Sequence, residues 1–205
     1  MRSLELFSGN GTVSSVFKSN NFETHSLDID KIHNPTMVQD ILTWDYTIFP
    51  PNFFDFIWAS PDCTSWSIAC HRHRTIKEGL VPKTETAIIG EKLIRKTLEI
   101  IDYFKPTVWI IENPRGRLRH FPPMKKLPHR TTVYYCNYGF PIQKPTDLWS
   151  NVELWDEKPQ KRNTMKFGNY GKKGCKGGIR SARSAIPKAL IERTYSHVYP
   201  DAVEA

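Results

Sequence analysis

Cys63 lies in Ser60-Pro61-Asp62-Cys63-Thr64-Ser65-Trp66-Ser67, just after the apolar run Phe53-Phe54-Asp55-Phe56-Ile57-Trp58-Ala59. The run predicts a buried strand, so the cysteine falls in a Pro/Ser turn past its end. That is where an open α/β sheet presents a nucleophile to its ligand crevice. A second run, Val108-Trp109-Ile110-Ile111, leads into Glu112-Asn113-Pro114 and carries a carboxylate to an equivalent place. Near the N-terminus, Leu4-Glu5-Leu6-Phe7 leads into Ser8-Gly9-Asn10-Gly11-Thr12, a strand followed by a glycine turn that lets backbone approach a ligand closely. Three strand ends thus supply a cofactor loop, a thiol and an acid. Group transfer through a cysteine nucleophile needs those three.

The elements that must position them alternate between strand and helix, as a parallel sheet requires. Thr12 to Lys18 predicts a short helix, and Phe22 to Leu27 a second strand ending at Asp28-Ile29-Asp30. Asp28 therefore stands where an acid hydrogen-bonds ribose hydroxyls, or serves as a simple turn residue. Met37-Val38-Gln39-Asp40-Ile41 is a shorter run and another strand end. From Thr84 to Phe104, Ile88, Ile89, Leu93, Ile94, Leu98, Ile101 and Phe104 recur at steps of three and four, which predicts a long amphipathic helix. Thr131 to Tyr135 and Asp147 to Leu154 predict two further strands, and Lys188 to about Val198 a last helix. The glycine turn is not GxGxxG and no GK[ST] follows it, so neither a dinucleotide fingerprint nor a P-loop is present.

A chain of 205 residues with 39% hydrophobic and 12% aromatic content suits one folded domain over 1–205. No apolar run approaches 18 residues and no signal-peptide pattern opens the chain, so no membrane contact is expected. The cysteines Cys63, Cys70, Cys136 and Cys175 form no CxxC pair. Reduced thiols in a soluble, intracellular protein of the cytoplasm or nucleus fit better than a disulfide framework. Cys70-His71-Arg72-His73 lacks a second ligand pair at metal-site spacing, so no metal is expected. Residues 1–114 hold 11 basic and 14 acidic side chains, a net of −3, and residues 115–205 hold 18 and 7, a net of +11. Such asymmetry points to a polyanion met mainly by the second half. Within it, residues 158–183 contain nine Lys/Arg, five Gly and no acid, a basic Gly-rich loop.

The order of Phe-Ser-Gly-Asn-Gly, Ser-Pro-Asp-Cys-Thr-Ser-Trp-Ser and Glu-Asn-Pro-Arg-Gly, each after a strand, resembles the C5-cytosine DNA methyltransferases. Tyr135-Cys136-Asn137-Tyr138-Gly139, Lys144-Pro145-Thr146-Asp147-Leu148-Trp149-Ser150-Asn151 and Arg183-Ser184-Ala185-Ile186-Pro187 extend the match. The likeness is to compact forms found in phages and other viruses, and it spans about residues 3 to 198. It implies a Rossmann-like α/β methyltransferase fold, a mostly parallel sheet with helices on both faces. It implies S-adenosyl-L-methionine as cofactor, with Phe7, Gly9 and Gly11 in the loop that wraps it and Asp28 on its ribose. Ile29 would lie against the adenine, Asp40 would read its amino group, Ile41 would cover its other face, and Ser184 lies in the motif that returns to the cofactor. Cys63 would attack C6 of a cytosine in DNA, and Glu112 would bind N3 and the exocyclic amine.

That chemistry suits these residue types. Cytosine C5 becomes nucleophilic only after addition at C6, which a thiolate does well. A free thiol near pKa 8.5 is mostly protonated at neutral pH, so the site is expected to stabilise the anion. Both groups must reach one base, so it is flipped out or already single-stranded. Three departures stand out. Asp62 occupies the place before the cysteine where the family has Pro, and its charge would raise the thiol pKa if it points inward. The family's Gln-x-Arg-x-Arg segment gives way to Ile142-Gln143-Lys144-Pro145-Thr146-Asp147, where Lys144 would take over a phosphate or base contact without the fork of Arg. No target-recognition domain precedes the last motif. Short or degenerate specificity is therefore expected, with recognition left to the basic loop, a partner protein or a homodimer. Arg115, Arg117, Arg119, Lys172, Lys173 and Lys176 are the expected phosphate contacts. A non-catalytic nucleic-acid-binding member and an RNA cytosine-C5 methyltransferase remain as alternatives.

Overall fold

The computed structural model describes residues 1–68, 72–74, 80–160 and 185–202. The expected basic loop at 158–183 lies outside these residues beyond position 160, as do Ser184, Lys172, Lys173 and Lys176.

Strands β1 (Arg2–Leu6), β2 (Glu23–Asp28), β3 (Met37–Val38), β4 (Phe56–Ala59) and β5 (Val108–Pro114) are joined by β6 (His129–Tyr134) and β7 (Pro145–Ser150) in one seven-stranded sheet. Its order is β3-β2-β1-β4-β5-β7-β6. β1 to β5 pair in parallel, while β7 runs antiparallel to both β5 and β6. The order reverses direction beside β1, between β1 and β4, which opens the crevice where such sheets bind ligands. Because the first five strands are parallel, their carboxyl ends share one edge. The antiparallel β7 brings its first residue to that same edge, next to the end of β6, through the pairing of Tyr134 with Pro145.

Strand alternation divides the core between two faces. Leu4, Leu6, Ile57, Ala59, Trp109 and Ile111 lie on one, under helix α2 (Glu85–Phe104), with Ile94, Ile100 and Phe104 packed inward. Phe56, Trp58, Val108 and Ile110 face the other way, against Val13, Val16 and Phe17 of α1 (Thr12–Ser19) and Leu190, Ile191 and Tyr195 of the C-terminal helix (Lys188–Val198). A single-turn helix, α3 (Pro122–Lys125), follows β5, so the C-terminal helix is α4. Helices on both faces and a mostly parallel sheet agree with the sequence-based expectation. Strand ends differ from it by one to a few residues: β6 begins at His129 and β7 at Pro145.

Two helix starts show how local chemistry fixes these positions. α2 begins on Thr84, whose hydroxyl accepts the Ala87 amide at 3.3 Å. α1 has no side-chain cap of its own at Gly11. The orphan donor is met from β1, where the buried Glu5 carboxylate accepts Ser14 N–H at 2.8 Å. Burial pushes Glu5 up to about 7, opposed by its bonds to Ser14. No helix among the described residues is long and apolar enough to cross a membrane.

Phe17 anchors the α1/α4 face: it is fully buried and stacks on Phe56 with ring centroids 4.1 Å apart. Truncating such a ring removes its transfer free energy and leaves a cavity. Phe17→Ala is therefore expected to lower unfolding stability by about 3–5 kcal/mol in urea denaturation. A loss below about 0.5 kcal/mol, smaller than a buried Ile→Val usually gives, would mean that this face does not hold the fold.

Candidate active site

Every sequence-predicted site residue within the described part of the chain falls on the carboxyl edge of the sheet or on loops leaving it, in two groups. The first surrounds the glycine turn after β1. Phe7, Gly9 and Gly11 all have positive φ, at 59°, 47° and 67°. Such a conformation favours glycine at the two glycines and is uncommon for a bulky Phe, whose strain must be held by its surroundings. A Cβ built on Gly9 or Gly11 would meet nothing within 4 Å, so the turn borders open space. The turn is held from β2: Asp28 Oδ2 accepts Gly9 N–H at 2.8 Å, and Ser8 N–H reaches Leu27 O at 3.1 Å. Asp28 Oδ1 accepts Asp30 N–H at 2.9 Å, so each oxygen keeps a free lone pair for a further donor. Ile29, next in the chain, is 70% exposed, an apolar face beside this open loop.

Asp40 is half-buried and its carboxylate accepts Leu42 N–H at 2.9 Å. Ile41 departs from expectation. It is 3% exposed and belongs to the core with Leu27, Trp44 and Phe54, because the turn at Asp40 directs it inward. It offers no surface to an adenine.

The second group gathers at the ends of β4, β5, β6 and the start of β7. β4 and β5 are neighbours, with Ala59 paired to Ile111, so Glu112 emerges beside the turn that carries Cys63. That turn is tied to β5 by the fully buried Asn113, whose Nδ2 donates to Pro61 O at 2.9 Å. Glu112 is buried and accepts Tyr135 O–H on Oε1 at 2.9 Å. Ser60 also hydrogen-bonds Glu112, and the Ser60 oxygen in turn accepts Trp58 Nε1–H at 2.8 Å. Lys144, just before β7, places its ammonium 4.2 Å from the Tyr135 ring centroid.

These neighbours set the protonation of the site. Burial raises Glu112 above the ordinary carboxylate range, against Lys144, Tyr135 and Ser60, which favour its anion. Burial also pulls Lys144 down, opposed by Glu112 and Cys63. The Cys63 thiol is pushed up to about 11, by burial first, then by Glu112 and Asp62, with Lys144 acting the other way. This corrects the expectation of a stabilised thiolate: without a substrate the site holds a thiol. Asp62 raises the thiol less than burial and Glu112 do; its side chain is exposed and turned to Thr64, accepting Thr64 N–H at 3.1 Å and Oγ1–H at 2.8 Å.

The segment after Cys63 is seated by residues that the sequence did not single out. Gly116 lies so close that a Cβ there would be 2.6 Å from Trp66 O. A Cβ on Gly90 of α2 would be 2.4 Å from Ser65 Oγ. Arg74 is buried with its guanidinium 3.5 Å from the Trp66 ring centroid, and it donates to Ala87 O at 2.7 Å and Leu80 O at 3.1 Å.

The expected phosphate contacts divide. Arg115 is exposed. Arg117 is buried and donates to the carbonyls of Ser67 and Ile68, so it braces the loop after Cys63 and does not face a backbone phosphate. Arg119 is engaged as a two-pronged ion pair with the buried Asp147, at 2.9 and 2.5 Å, and also reaches Thr132. Short spacing in Arg115-Gly116-Arg117-Leu118-Arg119 suggested one shared role, but a tight helical turn over Arg117–His120 sends the three side chains to different neighbours.

No family model matches the chain. It is 30% identical over an alignment of 221 positions to the "Probable DNA (cytosine-5)-methyltransferase" of Frog virus 3 (isolate Goorha), covering 93% of this chain and 97% of that protein. The chain belongs to the DNA (cytosine-5)-methyltransferase family. Solved structures agree on the fold. A candidate DNA modification methyltransferase encoded within an E. coli prophage superposes with a TM-score of 0.50 at 15% identity, over 73% of this chain and 46% of that one. The S. pombe Dnmt2 methyltransferase gives 0.50 at 18%, over 81% and 58%. The methyltransferase thus spans about half the length of these solved structures.

With Lys144 favouring the Cys63 anion, its removal must make the thiolate harder to form. Iodoacetamide labelling of Cys63, with Cys63→Ala subtracting the other thiols, is expected to quicken with pH up to about 11 in the wild type. Lys144→Met is expected to shift that rise to higher pH, slowing labelling at pH 9. An unchanged profile would place the ammonium out of reach of the sulfur.

Proposed function

We propose that this chain transfers a methyl group from S-adenosylmethionine to C5 of a cytosine in DNA, with Cys63 as nucleophile and Glu112 as the acid at N3. The observation that carries this is the placement of Cys63 and Glu112 at the ends of adjacent parallel strands, joined by the Asn113–Pro61 hydrogen bond at 2.9 Å. Thiol and carboxyl there can reach two edges of a single base, which has to leave the stack or be unpaired.

The site residues fit the cofactor. The left-handed turn at Phe7, Gly9 and Gly11 leaves open space, Asp28 keeps lone pairs for ribose hydroxyls, and the exposed Ile29 offers an apolar face to an adenine. Asp40 and Ser184 complete the proposed cofactor contacts. When bound, the cofactor supplies an electrophilic methyl group.

The protein's own residues do the rest. Glu112, whose protonated form burial favours, gives its proton to N3 as the base enters. The Cys63 thiol loses its proton to solvent, and the thiolate, favoured by Lys144, forms the Sγ–C6 bond. The ring electrons move to C5, which takes the methyl. Loss of the C5 proton to solvent then expels Cys63 as thiolate, and N3 returns its proton to Glu112.

DNA is held in this proposal by the basic second half of the chain, through Arg115 and through Lys172, Lys173 and Lys176. Only the basic residues 158–183 stand in the interval before the last motif, so few side chains are left there to read base edges, and the proposed specificity is short or degenerate.

Tritiated methyl transfer from the cofactor into DNA and into tRNA, assayed side by side, tests the substrate class. DNA is expected to be labelled and tRNA not, and the reverse result would make this an RNA methyltransferase. Cys63→Ala is expected to abolish labelling, and Glu112→Gln to slow it roughly 10²–10⁴-fold. Full activity in either variant would remove that residue from the mechanism. Bisulfite sequencing of DNA from expressing cells is expected to show methylation in a short context, whereas a long unique site would overturn the specificity proposal. Neutralising Lys172, Lys173 and Lys176 together is expected to flatten the log affinity against log salt plot by roughly 2–3 units. An unchanged slope would leave those lysines without phosphate contacts.

A further inference from the structure

Tyr135 is buried at the end of β6, and its hydroxyl donates to Glu112 Oε1 at 2.9 Å. Its ring is fixed from several sides. Phe140 stands edge-on with centroids 5.5 Å apart, and Lys144 Nζ lies 4.2 Å from the ring centroid. Its backbone is held by Tyr135 N–H to Lys144 O at 3.4 Å and Phe140 N–H to Tyr135 O at 3.1 Å. The hydroxyl of this confined ring has two side-chain partners, Glu112 and Thr146. Burial keeps it protonated, pushed well above the ordinary range by the loss of solvent and by Glu112, so it acts as a donor throughout the working pH range.

We propose that Tyr135 is a positioning residue for Glu112. By donating to Oε1 it fixes the rotation of the carboxyl and leaves Oε2 to carry the proton delivered to the base. A free carboxyl presents either oxygen, and only one arrangement places an O–H donor toward an acceptor nitrogen. Ser60, oriented by Trp58, is the second contact that restrains the same group. Tyr135 therefore does two things at once: it aims the acid, and it limits how far burial raises it, since a hydrogen bond to the charged form favours that form. The inference rests on the reading of Glu112 as the acid at N3.

The test is a ¹³C titration of the Glu112 carboxyl, its signal identified by its loss in Glu112→Gln, together with steady-state kinetics. In Tyr135→Phe the Glu112 midpoint is expected to move to higher pH. The kcat is expected to fall about tenfold, with KM for DNA and cofactor unchanged and the alkaline limb of kcat displaced upward with the midpoint. A simple loss of packing would lower thermal stability without moving either titration. Because a buried carboxyl deprived of its donor can unfold the chain, the wild-type protein provides a second measurement. The Tyr135 hydroxyl proton, buried and hydrogen-bonded, is expected to shift at the same pH as the Glu112 carboxyl. A Glu112 midpoint unmoved in a folded Tyr135→Phe protein, or a hydroxyl proton indifferent to Glu112, overturns the proposal. If neither DNA nor tRNA is methylated by the wild type, the function proposed above fails, and the titrations still decide whether Tyr135 governs Glu112.

Discussion

The hydrogen bond from Asn113 Nδ2 to Pro61 O, 2.9 Å long and fully buried, is the contact on which the active edge of the sheet depends. Parallel pairing brings the ends of β4 and β5 side by side, but backbone pairing stops at Ala59 and Ile111. Beyond that point Ser60 N–H still reaches Leu6 O at 3.2 Å, and the chain then leaves the sheet. Asn113 extends the connection by one side chain, to the residue two before Cys63. From there the turn is closed by contacts that admit little adjustment: Gly116 against Trp66 O, Gly90 against Ser65, and two buried arginines, Arg74 and Arg117, on carbonyls around it. Arginine suits this because its planar fork satisfies several acceptors at once, and leaving such a group unpaired when buried is costly.

Burial then sets the chemistry. Removing the site from water raises both Cys63 and Glu112, and lowers Lys144, so the resting arrangement leans toward neutral groups. A neutral Glu112 is what protonation of a base nitrogen requires. A neutral Cys63 is less favourable for attack, and the nearby ammonium of Lys144 only partly offsets that. The same ammonium sits over Tyr135, whose hydroxyl holds Glu112, so nucleophile, acid and cation form one coupled unit. Changes at any of them should propagate to the others. A resting thiol also protects the cysteine from oxidation between turnovers, since it is the thiolate that reacts.

Much of this arrangement was legible in the sequence, because strand patterning and strand ends are local signals. The apolar runs before Cys63 and Glu112 located both groups at the sheet edge, and the glycine turn after β1 folded as its residues suggested. Three kinds of feature were not legible. Ile41 carries the same apolar character whether it faces a ligand or the core, and only the turn at Asp40 decides. Arg117 and Arg119 look like surface charges in a basic stretch, yet their partners are the carbonyls of Ser67 and Ile68 and the carboxylate of Asp147, which folding alone brings near. Tyr135 and Ser60 carry no local signal of their own, because their significance lies in hydrogen bonds to Glu112 across strands. A buried tyrosine one residue past a strand, within a motif already tied to the site, was the available hint.

The proposed mechanism turns on addition of Cys63 to a cytosine held by Glu112. Incubating the protein and cofactor with DNA containing 5-fluoro-2′-deoxycytidine tests it most directly, since fluorine at C5 blocks the proton loss that would release the enzyme. A covalent protein–DNA adduct is expected, stable to denaturation and mapped by mass spectrometry to the peptide carrying Cys63. No adduct from a protein that methylates ordinary DNA, or an adduct mapped to Cys136, Cys70 or Cys175, would contradict it.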